Sequence, residues 1–223
     1  MGVPRSQRVG ELAELGIGYG LILVVVWTPN PEQRVLYWVA FAWIGVTAWL
    51  RRRASRPLGL GGRGFAASLW IPALAAAVFL AGIAIAARLH TLHPLYGPLP
   101  VAAHLLGYAL WALMQQFILQ VYVLLRLLRL GMRRSAAVAL AAVLFGLAHV
   151  PNPLLVPVTL AWGAASCLLF LRYRNLYTLA LAHGILGMCL AVTVPNSIHH
   201  HMRVGLGYVE YGRPGGVSQP ARR

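Results

Sequence analysis

Two adjacent glutamines, Gln115 and Gln116, sit inside a long apolar run, with Gln120 four residues further on. At about 100° per residue, His104, Tyr108, Trp111, Gln115 and Tyr122 fall on one stripe of a helix, with Gln116 and Gln120 to one side. Polar side chains in hydrocarbon must pair, line a cavity or do chemistry, because an unsatisfied one is costly there. Interhelical hydrogen bonding is the plain reading of one glutamine; three on one helix also suit a polar cavity. Two imidazoles follow. Phe145 precedes His149 by four residues, on the same helical face, and Pro151-Asn152-Pro153 comes directly after. His183 lies well inside the last long apolar run and needs a partner. Imidazole can take or give a proton near neutral pH, whereas an amide can only orient water or donate to an oxyanion. The run His199-His200-His201 reads as a solvated loop or as a metal-binding tract.

The elements that position these groups are membrane spans. The chain has 223 residues, 59% hydrophobic and 10% charged, against about 25% charged in soluble domains. Lys and Asp are absent, and the acidic residues are Glu11, Glu14, Glu32 and Glu210. Mean hydropathy is +0.69. Seven apolar blocks, about 12–28, 35–50, 65–87, 101–125, 135–150, 154–171 and 175–195, predict an all-α polytopic bundle of about seven transmembrane helices. We expect one membrane domain over 1–211 and a flexible Gly-, Pro- and Arg-rich tail over 212–223. The charged start followed by an apolar run to Trp27 lacks a small-residue cleavage site and reads as an uncleaved first span.

The net charge of +15 does not indicate nucleic acid, because Arg clusters flank the apolar blocks where anionic headgroups attract them. With the N-terminus cytoplasmic, thirteen Arg fall on inner segments and six on outer ones. This bias predicts a membrane protein with its N-terminus inside and its C-terminus outside; a bacterial cytoplasmic membrane is the expected location. Cys167 and Cys189 lie in apolar blocks and are expected to pack.

A polar pair in a mid-chain span, then Phe-x-x-x-His, then a His in a final span resembles the CPBP family of membrane proteases. These are the type II CAAX-processing and bacteriocin-processing enzymes, also called Abi, with motifs Glu-Glu-x-x-x-Arg, Phe-x-x-x-His and His-x-x-x-Asn/Asp. The resemblance covers about residues 101–190. Phe145 and His149 match the second motif, and His183 opens the third. The first motif reads Gln115-Gln116-x-x-x-Gln120, and the third has Gly187 where Asx is usual. In the family the first glutamate is thought to activate water and the Asx to help stabilise the oxyanion. Loss of both carboxylates together with the guanidinium leaves no unpaired buried ion, which favours natural divergence over engineered Glu-to-Gln changes.

The resemblance implies an intramembrane peptidase with altered catalytic motif, processing a membrane-associated, lipid-anchored or exported protein client. His149 and His183 would be catalytic with Gln115 and Gln116, and Phe145, Asn152, Gln120 and Tyr108 would meet the substrate. No cofactor is expected; a metal held by His149 and His183 is the less favoured alternative. Two other readings share the scaffold: a catalytically inactive homologue that binds or escorts a client, and a relative performing lipoprotein-modifying transfer chemistry. Gln115, Gln116, His149 and His183 are expected to converge on one cavity opening toward the outer leaflet. Helix rise places His149 near the outer headgroups and Gln115 roughly 20 Å down its span, so convergence requires a deep cavity or a later helix start.

Overall fold

The computed structural model describes residues 5–51, 58–93 and 101–212. The predicted tail, apart from Gly212, lies outside the described residues, as do 94–100 and the side chain of His104. All regular structure among the described residues is helical. The long elements are α1 (Arg5–Trp27), α2 (Glu32–Leu50), α3 (Trp70–Arg88), α4 (Val101–Phe117), α6 (Arg134–Leu147), α7 (Leu155–Tyr173) and α8 (Leu176–Thr193). After α4 the chain continues through a π-helical stretch, Ile118–Leu124, into the short α5 (Leu125–Arg129). Two short helices, α9 (Asn196–His199) and α10 (Gly205–Val209), follow the last long one.

Five segments are long and apolar enough to cross a membrane: Arg5–Trp27, Ala66–Arg88, Leu105–Arg129, Leu155–Tyr173 and Leu176–Thr193. Large apolar side chains such as Trp38, Leu80, Leu106 and Leu168 stand exposed around the bundle. Water would not tolerate that much apolar surface, but hydrocarbon is its natural solvent. The chain is therefore an integral membrane helix bundle. α3 packs along α8, α4 along α8, α6 along α7 and α1 along α2.

Local sequence explains the helix ends. Pro72 and Pro157 sit in the first turns of α3 and α7, where an N–H would have no intrahelical acceptor. Asn175 caps α8 by accepting from the Thr178 amide at 3.1 Å, while its own amide donates to Gly61 O and Arg63 O. Nearby Gly64 has φ +72°, and a Cβ there would lie 1.9 Å from Tyr173 O, so only glycine fits.

The π-helical stretch runs through the middle of the bundle, with Leu119 to Leu124 all buried. It begins two residues after the Gln115-Gln116 pair. π turns are rare and recur at functional sites. Below it, Arg126 is fully buried and donates to Glu11 at 3.1 Å and Glu14 at 2.5 Å. Arg129 adds a bond to Glu11 at 2.8 Å, and Arg51 one to Glu14 at 2.6 Å. This cluster ties the start of α1, the end of α2 and α5 into one charged base.

α6 has 14 residues, a rise of about 21 Å, against a hydrocarbon thickness of roughly 30 Å. The turn after it carries His149, which lines a common chamber with Gln115, so the expected depth mismatch between the two does not arise. The segment after α8 covers the turn from above: Gly205 N donates to Val150 O at 2.9 Å. Gly205 has φ +55°, and a Cβ would come within 2.3 Å of Val26, so a side chain would push this strap off α1.

Candidate active site

His149 lies two residues beyond α6, held by a hydrogen bond of 2.7 Å between its Nδ1 and Phe145 O. A carbonyl only accepts, so Nδ1 carries the proton and the neutral ring presents Nε2 as an acceptor. The Phe145 ring packs against it edge-on, with centroids 5.0 Å apart, and also meets His183 edge-on at 5.9 Å. One benzene ring thus spaces the two imidazoles. The Phe-x-x-x-His spacing does this work because both residues project from the same face of the helix end.

His183 on α8 is fixed from the opposite side by Gln116, whose Nε2 is 3.2 Å from His183 Nδ1. Behind Gln116, Gln120 donates to Gln116 Oε1 at 3.0 Å and to Ser166 Oγ at 3.1 Å, and Ser166 donates to Gly163 O. Each link fixes the polarity of the next. Gln116 Oε1 is used as acceptor, so its Nε2 donates to His183 Nδ1, and the proton of a neutral His183 resides on Nε2. The two histidines therefore have opposite characters, an acceptor at His149 Nε2 and a donor at His183 Nε2.

Gln115, His149 and His183 line one chamber of about 130 Å³, with Tyr108, Trp162 and Gly187 among the other walls. That volume holds several waters. A second chamber of about 130 Å³ shares Trp111, Gln115, His149 and Val204, and is otherwise lined by apolar and aromatic residues such as Ile22 of α1, Phe41 of α2, Leu119 of the π-helical stretch and Leu144 of α6. Gln115 stands at the boundary of the two. Its amide makes no hydrogen bond to protein among the described residues, which leaves it available to a water or a substrate group. Met202 and Val204 from the strap close the polar chamber on the side away from the charged base.

The predicted residues thus fall into two groups. Gln115, His149, His183 and Tyr108 line the polar chamber, and Phe145 lines the apolar one. Gln116, Gln120 and Asn152 are fully buried and face protein. The expected substrate contact of Gln120 and Asn152 is corrected accordingly: Gln120 orients Gln116, and Asn152 has its whole amide engaged. Asn152 Oδ1 accepts from Leu154 N and Leu155 N, and its Nδ2 donates to His199 O and Arg203 O, at 2.9 to 3.1 Å. It starts α7 and ties down the strap at once.

The histidine run serves that strap. His199 is fully buried; its Nε2 donates to Val194 O at 2.8 Å and its Nδ1 accepts from Met202 N at 3.0 Å. Burial holds this imidazole below the ordinary histidine value. His200 stacks on Tyr208 and Tyr211. Among the described residues no group of three or more His, Cys, Asp or Glu gathers as a metal site. The polar chamber offers two imidazoles and no carboxylate, short of the three protein ligands of a catalytic zinc. Glu11 and Glu14 are committed to the charged base, and neither chamber has a glutamate in its wall. Ser166 and Trp162 were not singled out from the sequence; each is a polar-edged residue in an apolar span, the same signal that marked the glutamines.

The family model described as "Type II CAAX prenyl endopeptidase Rce1-like" matches residues 97–189. The match supports the resemblance to the CPBP/CAAX protease family, and it spans α4 through most of α8, the stretch that carries every wall residue of the polar chamber except Leu190, Met202 and Val204. Glu11, Glu14 and Arg51 of the charged base, the apolar chamber's α1 and α2 walls and the strap lie outside it. No curated protein and no solved structure matches the chain significantly.

Proposed function

We propose that the chain is an intramembrane peptidase of the CAAX-protease type that hydrolyses a peptide bond in a membrane-associated client, with His149 as general base. The carrying observation is the Nδ1–H bond of His149 to Phe145 O, which leaves Nε2 as an acceptor in the chamber shared with Gln115 and His183. Water held by the Gln115 amide gives its proton to His149 Nε2 as its oxygen adds to the scissile carbonyl carbon. His183 Nε2–H donates to the resulting oxyanion. The tetrahedral intermediate collapses as His149 returns the proton to the departing amine. Two hydrogen-bonded neutral histidines thereby divide the roles of base and oxyanion donor, a division that needs no carboxylate.

The apolar chamber beside Gln115 suits a hydrocarbon group on the client, in keeping with the prenyl endopeptidase named by the matching family. With the N-terminus cytoplasmic, as the Arg bias favours, the polar chamber lies in the outer half of a bacterial cytoplasmic membrane. The test is cleavage of a fluorogenic, S-farnesylated C-terminal peptide by the full chain in proteoliposomes. Replacement of His149 by Ala should lower turnover at least a hundredfold while insertion and thermal stability stay near wild type. A second reading, a client-binding protein without catalysis, is favoured by the absence of a carboxylate from the chamber walls. Under it the client would bind equally well with His149 and His183 both replaced, and no peptide would be cut.

A further inference from the structure

Gly187 lies one helical turn beyond His183 on the same face of α8. A Cβ built on it would lie 2.7 Å from both Tyr108 Oη and Tyr108 Cε1, and 3.1 Å from Cζ. No side chain can coexist there with the phenol in its present position. The missing side chain and the inserted ring are thus one feature: α8 has a notch, and Tyr108 of α4 fills it, hydroxyl end first.

The hydroxyl has been brought into a polar chamber and given no protein acceptor or donor among the described residues. Half-buried and without a protein partner, the hydroxyl is available to whatever occupies the chamber. Tyr108 and Gln115 are seven residues apart and share a face of α4, which places Gln115 two turns further along the same wall. Tyr108, Gln115, His149 and His183 all line this chamber. The aromatic ring also gives the hydroxyl a rigid mount with two rotatable torsions, pinned by the notch.

We propose that the Tyr108 hydroxyl is an oxyanion donor of this site, acting beside His183 Nε2–H. The assignment rests on the peptidase reading for its chemistry. The phenol donates one hydrogen bond to the carbonyl oxygen as that oxygen gains negative charge, and transfers no proton. At position 187 the resemblance leads one to expect Asn or Asp; here the neighbouring helix supplies a hydroxyl through the gap that glycine leaves.

Tyr108→Phe removes only the hydroxyl and keeps the ring in the notch. The expected result is a fall in kcat of at least tenfold with KM unchanged, because the bond strengthens in the transition state. The direct probe is a farnesylated peptide in which a phosphinate, a tetrahedral anion, replaces the scissile amide, with binding read through the fluorescence of Trp111 and Trp162. Tyr108→Phe should weaken the phosphinate at least tenfold and leave the matching amide substrate unchanged. Gly187→Asn should expel the ring and behave like Tyr108→Phe, while Tyr108→Ala combined with Gly187→Asn should regain phosphinate affinity by placing a carboxamide in the vacated space. Wild-type phosphinate affinity in Tyr108→Phe, or no phosphinate binding by the wild type, overturns the assignment. Tyr108-dependent binding in a wild type that cuts no peptide supports the assignment and instead refutes the peptidase reading.

Discussion

Adjacent amide-to-carboxylate exchanges at Gln115 and Gln116 should have opposite effects, although both are isosteric. Gln115 is partly buried, has no protein hydrogen bond among the described residues and borders both chambers. Gln115→Glu therefore leaves no protein group unpaired and places a stronger acceptor where the attacking water would sit. A hydrogen bond to a charged group contributes about 1.5–3 kcal/mol, against about 0.5–1.5 kcal/mol for a neutral one. The difference of about 1–1.5 kcal/mol corresponds to about a tenfold gain in kcat/KM. Gln116, in contrast, is fully buried and donates to His183 Nδ1 while accepting from Gln120. A glutamate there offers His183 only an acceptor, which draws the ring proton to Nδ1 and turns Nε2 from donor to acceptor. Losing an oxyanion donor costs about 10²–10³ in rate, and burying a carboxylate without a guanidinium at position 120 costs several kcal/mol more. Cleavage of the farnesylated peptide in proteoliposomes, with thermal unfolding in detergent as the stability check, reads both effects. A Gln115→Glu enzyme no faster than wild type, beside a Gln116→Glu enzyme of normal activity and stability, would refute the reasoning.

Arg126→Leu should destabilise the bundle by about 3–5 kcal/mol by leaving Glu11 buried with only Arg129, and adding Glu11→Gln and Glu14→Gln should recover most of the lost Tm. Because the folded-state pKa of His199 is depressed by burial, its contribution to strap stability is full above about pH 6.5 and is lost as pH falls below that value. The protection factor for hydrogen exchange at the Met202 amide, which donates to His199 Nδ1, should accordingly fall between pH 7 and pH 5; equal protection at both would remove His199 as the latch. A cysteine at Ile198, which is exposed on the strap, should react with a membrane-impermeant maleimide added outside intact cells, and reaction only from the cytoplasmic side would invert the proposed orientation.

The helix bundle was legible in the block lengths and Arg clusters, since hydrocarbon thickness leaves few alternatives for runs of such apolarity. The chemistry of the chamber was legible in part. His183 stood out because an imidazole deep in an apolar run needs a partner, and Phe145 and His149 stood out by their spacing. What the sequence could not reveal was direction. Gln115 and Gln116 are neighbours in the chain, yet 100° of helical rotation sends one into the chamber and the other into a buried relay ending at Ser166. The resemblance put Asn152 among the substrate contacts; its amide is consumed by backbone groups of α7 and the strap. The role of Gly187 was out of reach for a different reason. A glycine in a span signals close approach, but the group that approaches comes from another helix, 79 residues earlier in the chain.

The central claim is that this chamber adds water to a peptide carbonyl with His149 as base. Cleavage of the farnesylated peptide in ¹⁸O-labelled water, with wild type and His149→Ala compared under identical reconstitution, tests it most directly. The account predicts one ¹⁸O atom in the new carboxylate of the wild-type product and at least a hundredfold less product from the variant. Labelled product formed by His149→Ala at the wild-type rate, or wild-type product without the label, would contradict it.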